Sequence, residues 1–243
     1  MVNKTAKGKI QKALNIFSDP HYRYATVGRQ LLGCKSVLDV GGYEDCGPWL
    51  KKTAKQIKNY ASLNISSAWY GPRKFHCQYD GKQIPFDEET FDAAVFVDSL
   101  EHIPNNLRIS LITQALKIAR KRVVLLFPFR SDENIQFEKT YRDFLLYHDL
   151  PIKPSVKEHY RFGLPDEMVF IRAFKKYRPK LRYVSDRRIF GNYTFAQIIV
   201  GVAFPKESLR LNTELQKIME DHLMNEAKTP KHLAHRALIV INK

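Results

Sequence analysis

Residues 80–104 read DGKQIPFDEETFDAAVFVDSLEHIP, and this stretch decides the fold that the sequence predicts. It begins with a turn at Asp80-Gly81 and continues into 91–97, which is almost wholly apolar and predicts a buried strand. The strand ends in polar residues from Asp98 onward, and a helical pattern follows at 106–119. Strands that are apolar on both faces belong to parallel sheets covered by helices on both sides, so this stretch indicates an α/β fold.

The same alternation of apolar runs and helical patterns extends along the chain in both directions. Strands are predicted at 36–40, 60–65, 75–79, 91–97, 123–127, 181–184 and 237–241, and helices at 48–58, 106–119, 195–202 and 207–224. Residues 130–180 are polar, aromatic and basic, which predicts an insertion after the fifth strand rather than a separate domain. Ligands of parallel sheets bind beyond the carboxyl ends of the strands, so functional residues are expected there.

The composition predicts one soluble domain with anionic partners. The 243 residues are 44% hydrophobic, and a chain of this length buries roughly 70–75% of its unfolded surface without a metal or disulfide. The net charge is +15, with its excess in residues 1–34 and 172–188, and such a field attracts nucleic acid, anionic lipid headgroups or phosphate-linked sugars. A solvated basic surface without a specific partner is the alternative. No window approaches the roughly 18 apolar residues of a membrane span, since the longest, 195–204, has ten.

The cysteines and the N-terminus indicate the compartment. Cys34, Cys46 and Cys77 lack metal-ligand spacing, and their odd number does not favour a disulfide framework. No apolar segment follows the basic N-terminal residues, so no secretory signal is predicted and a cytoplasmic location is expected. No carboxylate–histidine set indicates a bound metal, and none is predicted.

A glycine turn closes the first predicted strand. Residues 37–42 read VLDVGG, and glycines after an acidic strand end let the backbone pass close to a ligand. An ordinary structural turn is the alternative. Residues 43–45 are Tyr, Glu and Asp, so the glycine fingerprint of dinucleotide-binding folds is incomplete and a NAD-dependent enzyme is not favoured.

Together these two segments resemble class I S-adenosylmethionine-dependent methyltransferases, whose hallmark stretch has the form D…LPF…FD, an apolar strand, then D-x-LEH. The resemblance covers residues 35–130 well. It implies a Rossmann-like α/β fold with a mostly parallel seven-stranded sheet, helices on both faces and S-adenosylmethionine as cofactor. Under it, 1–34 is an N-terminal helical segment, 35–243 is the methyltransferase domain and 130–180 is an acceptor-side insertion after strand five.

The resemblance also implies roles for individual residues. It implies that Asp39, Gly41 and Gly42 contact the methionine part of the cofactor and that Asn64 contacts the ribose. It implies that Asp80 and Gly81 contact the adenine, and that Asp98 and Ser99 line the methyl side. Tyr43 and Asp45 depart from the pattern where the family has glycines, and Asn64 stands where it has an acid. A methyltransferase-like binding module without activity is therefore an alternative.

The acceptor side is less defined. His102 and His159 are the candidate general bases, because imidazole titrates near neutral pH; a turn histidine and a surface histidine are the alternatives. Residues 157–165, Pro205 and 235–240 resemble, more weakly, methyltransferases encoded among glycosyltransferases, which implies a small-molecule or sugar/glycan acceptor, expected to be anionic.

Two further segments leave other partners open. Tyr177 and Tyr183 interleave with the basic run 172–188, a pattern that an RNA methyltransferase would need for stacking and phosphate contact. Residues 6–17 have helical apolar spacing with lysines opposite, which predicts a packing helix, a lid or a contact with anionic membrane.

Overall fold

The computed structural model is built on one seven-stranded sheet in the order β3-β2-β1-β4-β5-β7-β6. The structure describes residues 20–42, 46–65, 76–147, 149, 151–152, 154–188, 210–211, 214 and 229–243. The strands are β1 Ser36–Val40, β2 Asn59–Asn64, β3 His76–Gln78, β4 Phe91–Val97, β5 Ala119–Pro128, β6 Lys180–Asp186 and β7 Ala234–Asn242. All seven predicted strands are confirmed, and β5 and β7 are longer than their apolar centres indicated.

Six helices of seven residues or more are described. They are α1 Pro20–Gly28, α2 Gly47–Thr53, α3 Asn105–Ile118, α4 Asp132–Tyr147, α5 Pro154–Phe162 and α6 Glu167–Ala173, with a short 3₁₀ helix at Leu100–His102. The helix predicted at 106–119 is confirmed, and α2 is shorter than the predicted 48–58. The predicted helical segment of 6–17, and the helices predicted at 195–202 and for most of 207–224, lie outside the described residues.

The strand pairing shows where the carboxyl ends of the parallel strands meet. Strands β1 to β5 pair in parallel, whereas β7 is antiparallel to both β5 and β6, so the sheet is mostly parallel as predicted. The order reverses between β1 and β4, and crevices at such points bind ligands at the carboxyl ends of the strands.

Two apolar cores lie on opposite faces of the sheet. Alternate residues of a strand point to opposite faces, and in β4 Phe96 packs in one core while Val95 packs in the other. Helices α3 and α6 cover the first face, for example with Leu111, and α1 and α2 cover the second with Val27 and Leu50. Helices on both faces are thus confirmed. Within the ranges given above, no helix is both long and apolar enough to cross a membrane.

Candidate functional site

The ends of β1, β2 and β4 are bonded together at the carboxyl edge of the sheet. The Ser99 hydroxyl donates to the Val40 carbonyl at 2.8 Å, and the Asn64 amide nitrogen donates to the Gly41 carbonyl at 2.9 Å. The Gly41 backbone N–H donates to the Leu63 carbonyl at 2.6 Å. The structure therefore brings Gly41, Asn64 and Ser99, which were singled out on three separate segments, into one cluster.

The glycine pair is required by the protein's own packing. Gly41 has φ +89°, and a Cβ there would lie 2.4 Å from the Ser99 Cβ. A Cβ on Gly42 would lie 2.1 Å from Asp39 Oδ2. The sequence pattern attributed both glycines to the approach of a ligand, and the structure adds an intramolecular reason for each.

Asp39 is completely buried beside this turn. Its Oδ2 accepts from the Tyr24 and Tyr60 hydroxyls, each at 2.6 Å, while its Oδ1 has no hydrogen-bond partner among the described residues. Burial raises the pKa of Asp39 to about 6, and the bonds from the two tyrosines offset part of that rise. Nothing in the sequence pattern indicated the two tyrosines, which come from α1 and β2.

Asp80 lies at the outer end of the same edge, just after β3, and is exposed. Its Oδ1 accepts from the backbone N–H groups of Lys82 and Gln83 at 2.8 and 2.9 Å, and these bonds lower its pKa. Gly81 follows with φ +78°, a conformation that favours glycine. The Tyr79 N–H donates to the Asn64 carbonyl at 3.0 Å, so the Asp80 turn is adjacent to the end of β2.

Asp98 is held by two arginines from distant segments. Arg236 on β7 donates from Nη2 at 2.6 Å and from Nε at 2.9 Å, and Arg23 on α1 donates at 3.2 Å. Burial alone would raise the pKa of Asp98, but the two guanidinium charges outweigh it and lower the pKa to about 2. Neither arginine stood out in the sequence, because nothing local marks a partner 75 or 138 residues away.

A cavity of about 270 Å³ lies between the end of β4 and the insertion. The lining side chains come from α1, from the turn after β4, from the end of β5, from α4 and α5, and from β7: Arg23, Asp98, Glu101, His102, Pro128, Phe137, Glu138, Tyr141, Ser155, Val156, His159, His235 and Arg236. Both predicted bases, His102 and His159, are in this lining although they are far apart in sequence. The predicted acceptor-side insertion thus contributes residues to a cavity at the carboxyl edge.

Each histidine is bonded to a carboxylate of the insertion. His102 Nδ1 lies 2.9 Å from Glu158 Oε2, and His159 Nδ1 lies 3.1 Å from Glu138 Oε2. The two imidazole rings are 4.7 Å apart. Burial, together with the nearby charge of His159, lowers the pKa of His102 to about 4. Burial acts the same way on His159, but the hydrogen bond that its imidazole donates to Glu138 and the charge of Glu101 outweigh burial and raise that pKa.

Glu101 completes the polar end of the cavity. Burial, with the charge of Asp98 nearby, raises its pKa to about 8. Glu101, His102 and His159 each offer a potential ligand atom, and these atoms lie within 4.8 Å of one another. The sequence analysis singled out His102 and His159 as bases but did not connect Glu101 with them, although adjacent Glu and His residues directly after a strand end were a signal of this group.

The basic side chains of 172–188 are mostly exposed, whereas the two tyrosines of this run pack against the fold. The Tyr183 ring packs 5.1 Å from Phe129 and its hydroxyl donates to Glu167, while Tyr177 packs against the core. Arg187 donates to the Asn134 side chain at 2.9 Å. The two tyrosines are thus engaged in packing rather than presented for base stacking.

Comparisons with known proteins support the fold. No protein-family model matches the chain, and no curated protein matches it by sequence. A SAM-dependent methyltransferase from Archaeoglobus fulgidus is similar in structure, with TM-score 0.53 and 16% identity over 93% of this chain and 95% of that one. The plantazolicin methyltransferase BpumL, solved with a triazolic desmethylPZN analog and SAH, gives 0.52 and 15% over 99% and 98%.

A third similar structure is phosphoethanolamine N-methyltransferase 2 of Haemonchus contortus, with TM-score 0.51 and 12% identity over 90% of this chain and 52% of that one. The three proteins share a fold with this chain at low sequence identity. The chain therefore has the Rossmann-like fold of class I S-adenosylmethionine-dependent methyltransferases.

Proposed function

We propose that this chain is an S-adenosylmethionine-dependent methyltransferase that acts on a small-molecule or sugar/glycan acceptor. The observation that carries the proposal is the position of the cavity. Polar residues follow the strands along the carboxyl edge of the sheet, from Asp80 after β3 and Asn64 at the end of β2 to Asp98 after β4. The cavity includes Asp98 and continues along residues of the insertion. A cofactor along the strand ends and an acceptor in the cavity would be neighbours.

The residues along the edge fit S-adenosylmethionine. An adenine amino group and a ribose diol need acceptors, and the exposed Asp80 carboxylate lies beside the end of β2, which carries Asn64. The ammonium end needs an acceptor as well, and the buried Asp39 Oδ1 is one that has no partner among the described residues. Gly41, Gly42, Gly81 and Ser99 would supply backbone and hydroxyl contacts along this edge.

When bound, S-adenosylmethionine supplies an activated methyl group, and an acceptor atom bonds to its carbon as the carbon–sulfur bond breaks with the electron pair staying on sulfur. The protein's part is then mostly positioning, which is worth ~7–11 kcal/mol in well-oriented reactions. A hydroxyl acceptor must also lose its proton. His102, which its pKa of about 4 keeps neutral at pH 7, can accept a proton, whereas the hydrogen bond to Glu138 and the charge of Glu101 raise the pKa of His159.

The lining of the cavity favours a polar acceptor over a strongly anionic one. Three carboxyl groups and two guanidinium groups line it, and both guanidiniums are bonded to Asp98. The chain's positive charge therefore does not extend into the cavity. Hydroxyl-rich molecules such as sugars match its mixture of donors and acceptors.

The test is a titration of the 243-residue chain with S-adenosylhomocysteine, followed by calorimetry and by melting temperature. A ligand that binds only the folded state stabilises it by ~2.7 kcal/mol at a hundredfold excess over its dissociation constant. Asp80→Ala is expected to lose binding. Asp80→Asn, which keeps an oxygen to accept the two backbone N–H bonds, is expected to weaken binding less.

The matched control is Asp87→Ala, which removes an exposed carboxylate from the same connection between β3 and β4. It is expected to bind like the native chain. If the native chain does not bind at millimolar ligand, the protein is a binding module with a methyltransferase fold and the proposed activity is wrong.

A further inference from the structure

We infer that Glu101, His102 and His159 form a binding site for a divalent transition-metal ion. Their ligand atoms lie within 4.8 Å of one another at the inner end of the cavity. Ligands about 2.1 Å from one ion in tetrahedral geometry are roughly 3.4 Å apart, so the most distant pair of these atoms needs to close by roughly 1.4 Å, which side-chain rotation can supply. Two of the three residues are adjacent on the 3₁₀ helix after β4, and α5 brings the third.

The two imidazoles are oriented as metal ligands are. A histidine that binds a metal through one nitrogen almost always donates its other N–H to a carboxylate or carbonyl, which fixes the ring. Here both Nδ1 atoms are bonded to carboxylates, that of His102 to Glu158 and that of His159 to Glu138. The two Nε2 atoms are then the candidate ligand atoms, and that of His102 lies 4.0 Å from Glu101 Oε1.

Two buried polar atoms of this group lack a hydrogen-bond partner. Glu101 is only 1% exposed, yet its Oε2 has no partner among the residues that the structure describes, and the same holds for His159 Nε2. A buried unsatisfied carboxylate oxygen costs free energy unless it is bonded or paired with a charge. A cation bound at this point would satisfy both atoms.

The charge around the group also favours a cation. Asp98, Glu101, Glu138 and Glu158 carry four carboxyl groups, whereas the guanidiniums of the cavity number two, and both are bonded to Asp98. Binding of an ion requires deprotonated ligands, and with all four carboxyl groups ionised and both imidazoles neutral the set has a net charge of −2 by that count. One divalent ion balances it.

The donor set defines the class of ion. Two imidazoles and a carboxylate suit zinc, manganese, iron, cobalt or nickel, whereas calcium and magnesium prefer oxygen ligands alone. Three protein ligands leave positions open for an exogenous oxygen, as in catalytic rather than structural sites. If the proposed methyl transfer is correct, the open positions would hold an acceptor hydroxyl and lower its pKa; with the ion bound His102 is a ligand, and this activation takes the place of its role as general base.

The test is a titration of the chelator-treated 243-residue chain with Co²⁺, whose visible absorption reports imidazole ligands, repeated with Zn²⁺ in competition. One ion per chain is expected to bind. Glu101→Gln and His159→Ala should each weaken binding by at least ~10-fold, and Glu138→Gln, which removes only the charge of the partner of His159, by roughly 10-fold. Glu101→Gln preserves shape, so it serves if His159→Ala does not fold.

The control is His232→Ala, which removes an exposed imidazole outside the cavity lining. It should leave Co²⁺ affinity unchanged. The inference is wrong if no stoichiometric ion binds at millimolar Co²⁺, if Glu101→Gln and His159→Ala bind as the native chain does, or if His232→Ala loses the ion equally.

Titration with S-adenosylhomocysteine separates this inference from the proposed function. Binding of the nucleoside without the ion leaves the methyltransferase proposal standing and overturns the metal site. Binding of the ion without the nucleoside does the reverse. The two measurements use different ligands and different variants, so neither failure can be mistaken for the other.

Discussion

Asp39 and Asp98 end neighbouring strands of one sheet, and their surroundings move their pKa values in opposite directions. Asp39 is buried against two tyrosine hydroxyls, and its pKa is raised to about 6. Asp98 is also desolvated, but two guanidiniums lower its pKa to about 2. The two buried acids are therefore chemically different, because the hydroxyl partners of Asp39 only partly offset its burial whereas the guanidinium charges beside Asp98 outweigh its burial.

Asp39→Asn is predicted to change how stability depends on pH. A carboxyl whose pKa is raised on folding binds its proton more tightly in the folded state, and this adds to the free energy of unfolding. The contribution is complete below the unfolded pKa of about 4 and is lost as pH rises through the folded pKa of about 6. Asparagine still accepts from Tyr24 and Tyr60 but has no such dependence. The free energy of unfolding of the variant should therefore rise relative to the native chain by about 3 kcal/mol between pH 4 and pH 7.

Urea unfolding at a series of pH values measures this difference. Asp87→Asn, at an exposed position, corrects for the loss of one surface charge. A difference between Asp39→Asn and the native chain that stays constant across this range would contradict the prediction.

Gly41→Ala is predicted to destabilise the protein more than Gly33→Ala does. Both glycines have positive φ, +89° and +78°, so alanine is strained at each by ~1–2 kcal/mol. At Gly41 the new Cβ would also lie 2.4 Å from the Ser99 Cβ. At Gly33 no atom lies within 4 Å of the new Cβ. The expected extra cost at Gly41 is ~1–3 kcal/mol, measured by urea unfolding, and equal costs at the two sites would refute the packing explanation.

At the scale of elements, α4 and α5 are joined to the end of β4 through the two histidine–carboxylate pairs. Glu138 on α4 bonds His159 on α5, and Glu158 on α5 bonds His102 in the 3₁₀ helix. Arg108 on α3 also donates to the Gly163 carbonyl at 2.7 Å, just beyond α5. The insertion is thus fastened to the sheet by the same side chains that line the cavity.

Glu138→Gln is predicted to lower the pKa of His159. The carboxylate raises that pKa through its hydrogen bond and its charge, against the effect of burial, and glutamine keeps the bond without the charge. An NMR titration of the imidazole measures the change. Asp143→Asn on the same helix removes a carboxylate that pairs with Arg142 at the surface, and it should leave the His159 titration unchanged. An unaltered His159 in Glu138→Gln would show that Glu138 does not set its charge.

The strands of the parallel core were predictable because their signal is local. The runs at 36–40 and 91–97 are apolar on both faces and bounded by turn residues, and the structure gives strands with the same bounds. The ends of β5 and β7 were not predicted, since charged residues such as Lys121 and Arg236 lie near the ends of these strands. Pairing with neighbouring strands, rather than local hydrophobicity, extends them.

At the scale of the whole molecule, strand order creates the site. The reversal between β1 and β4 opens the carboxyl edge there, and β7 inserts antiparallel between β5 and β6. That placement brings Arg236 and His235 to the cavity from the last strand of the chain. The basic run 172–188 extends from the end of α6 through β6 to Arg188, and none of its residues lines the cavity.

The sequence by itself determined the α/β class, the seven strands and the polar residues at the strand ends. Each of these features depends on residues that are close together along the chain. Only the tertiary structure decided which ionisable groups meet. Asp98 meets Arg236 across 138 residues, and His102 meets Glu158 across 56. The physical reason is that a pKa and a ligand set depend on charges and burial a few ångströms away, and those distances are fixed by the fold rather than by the chain order.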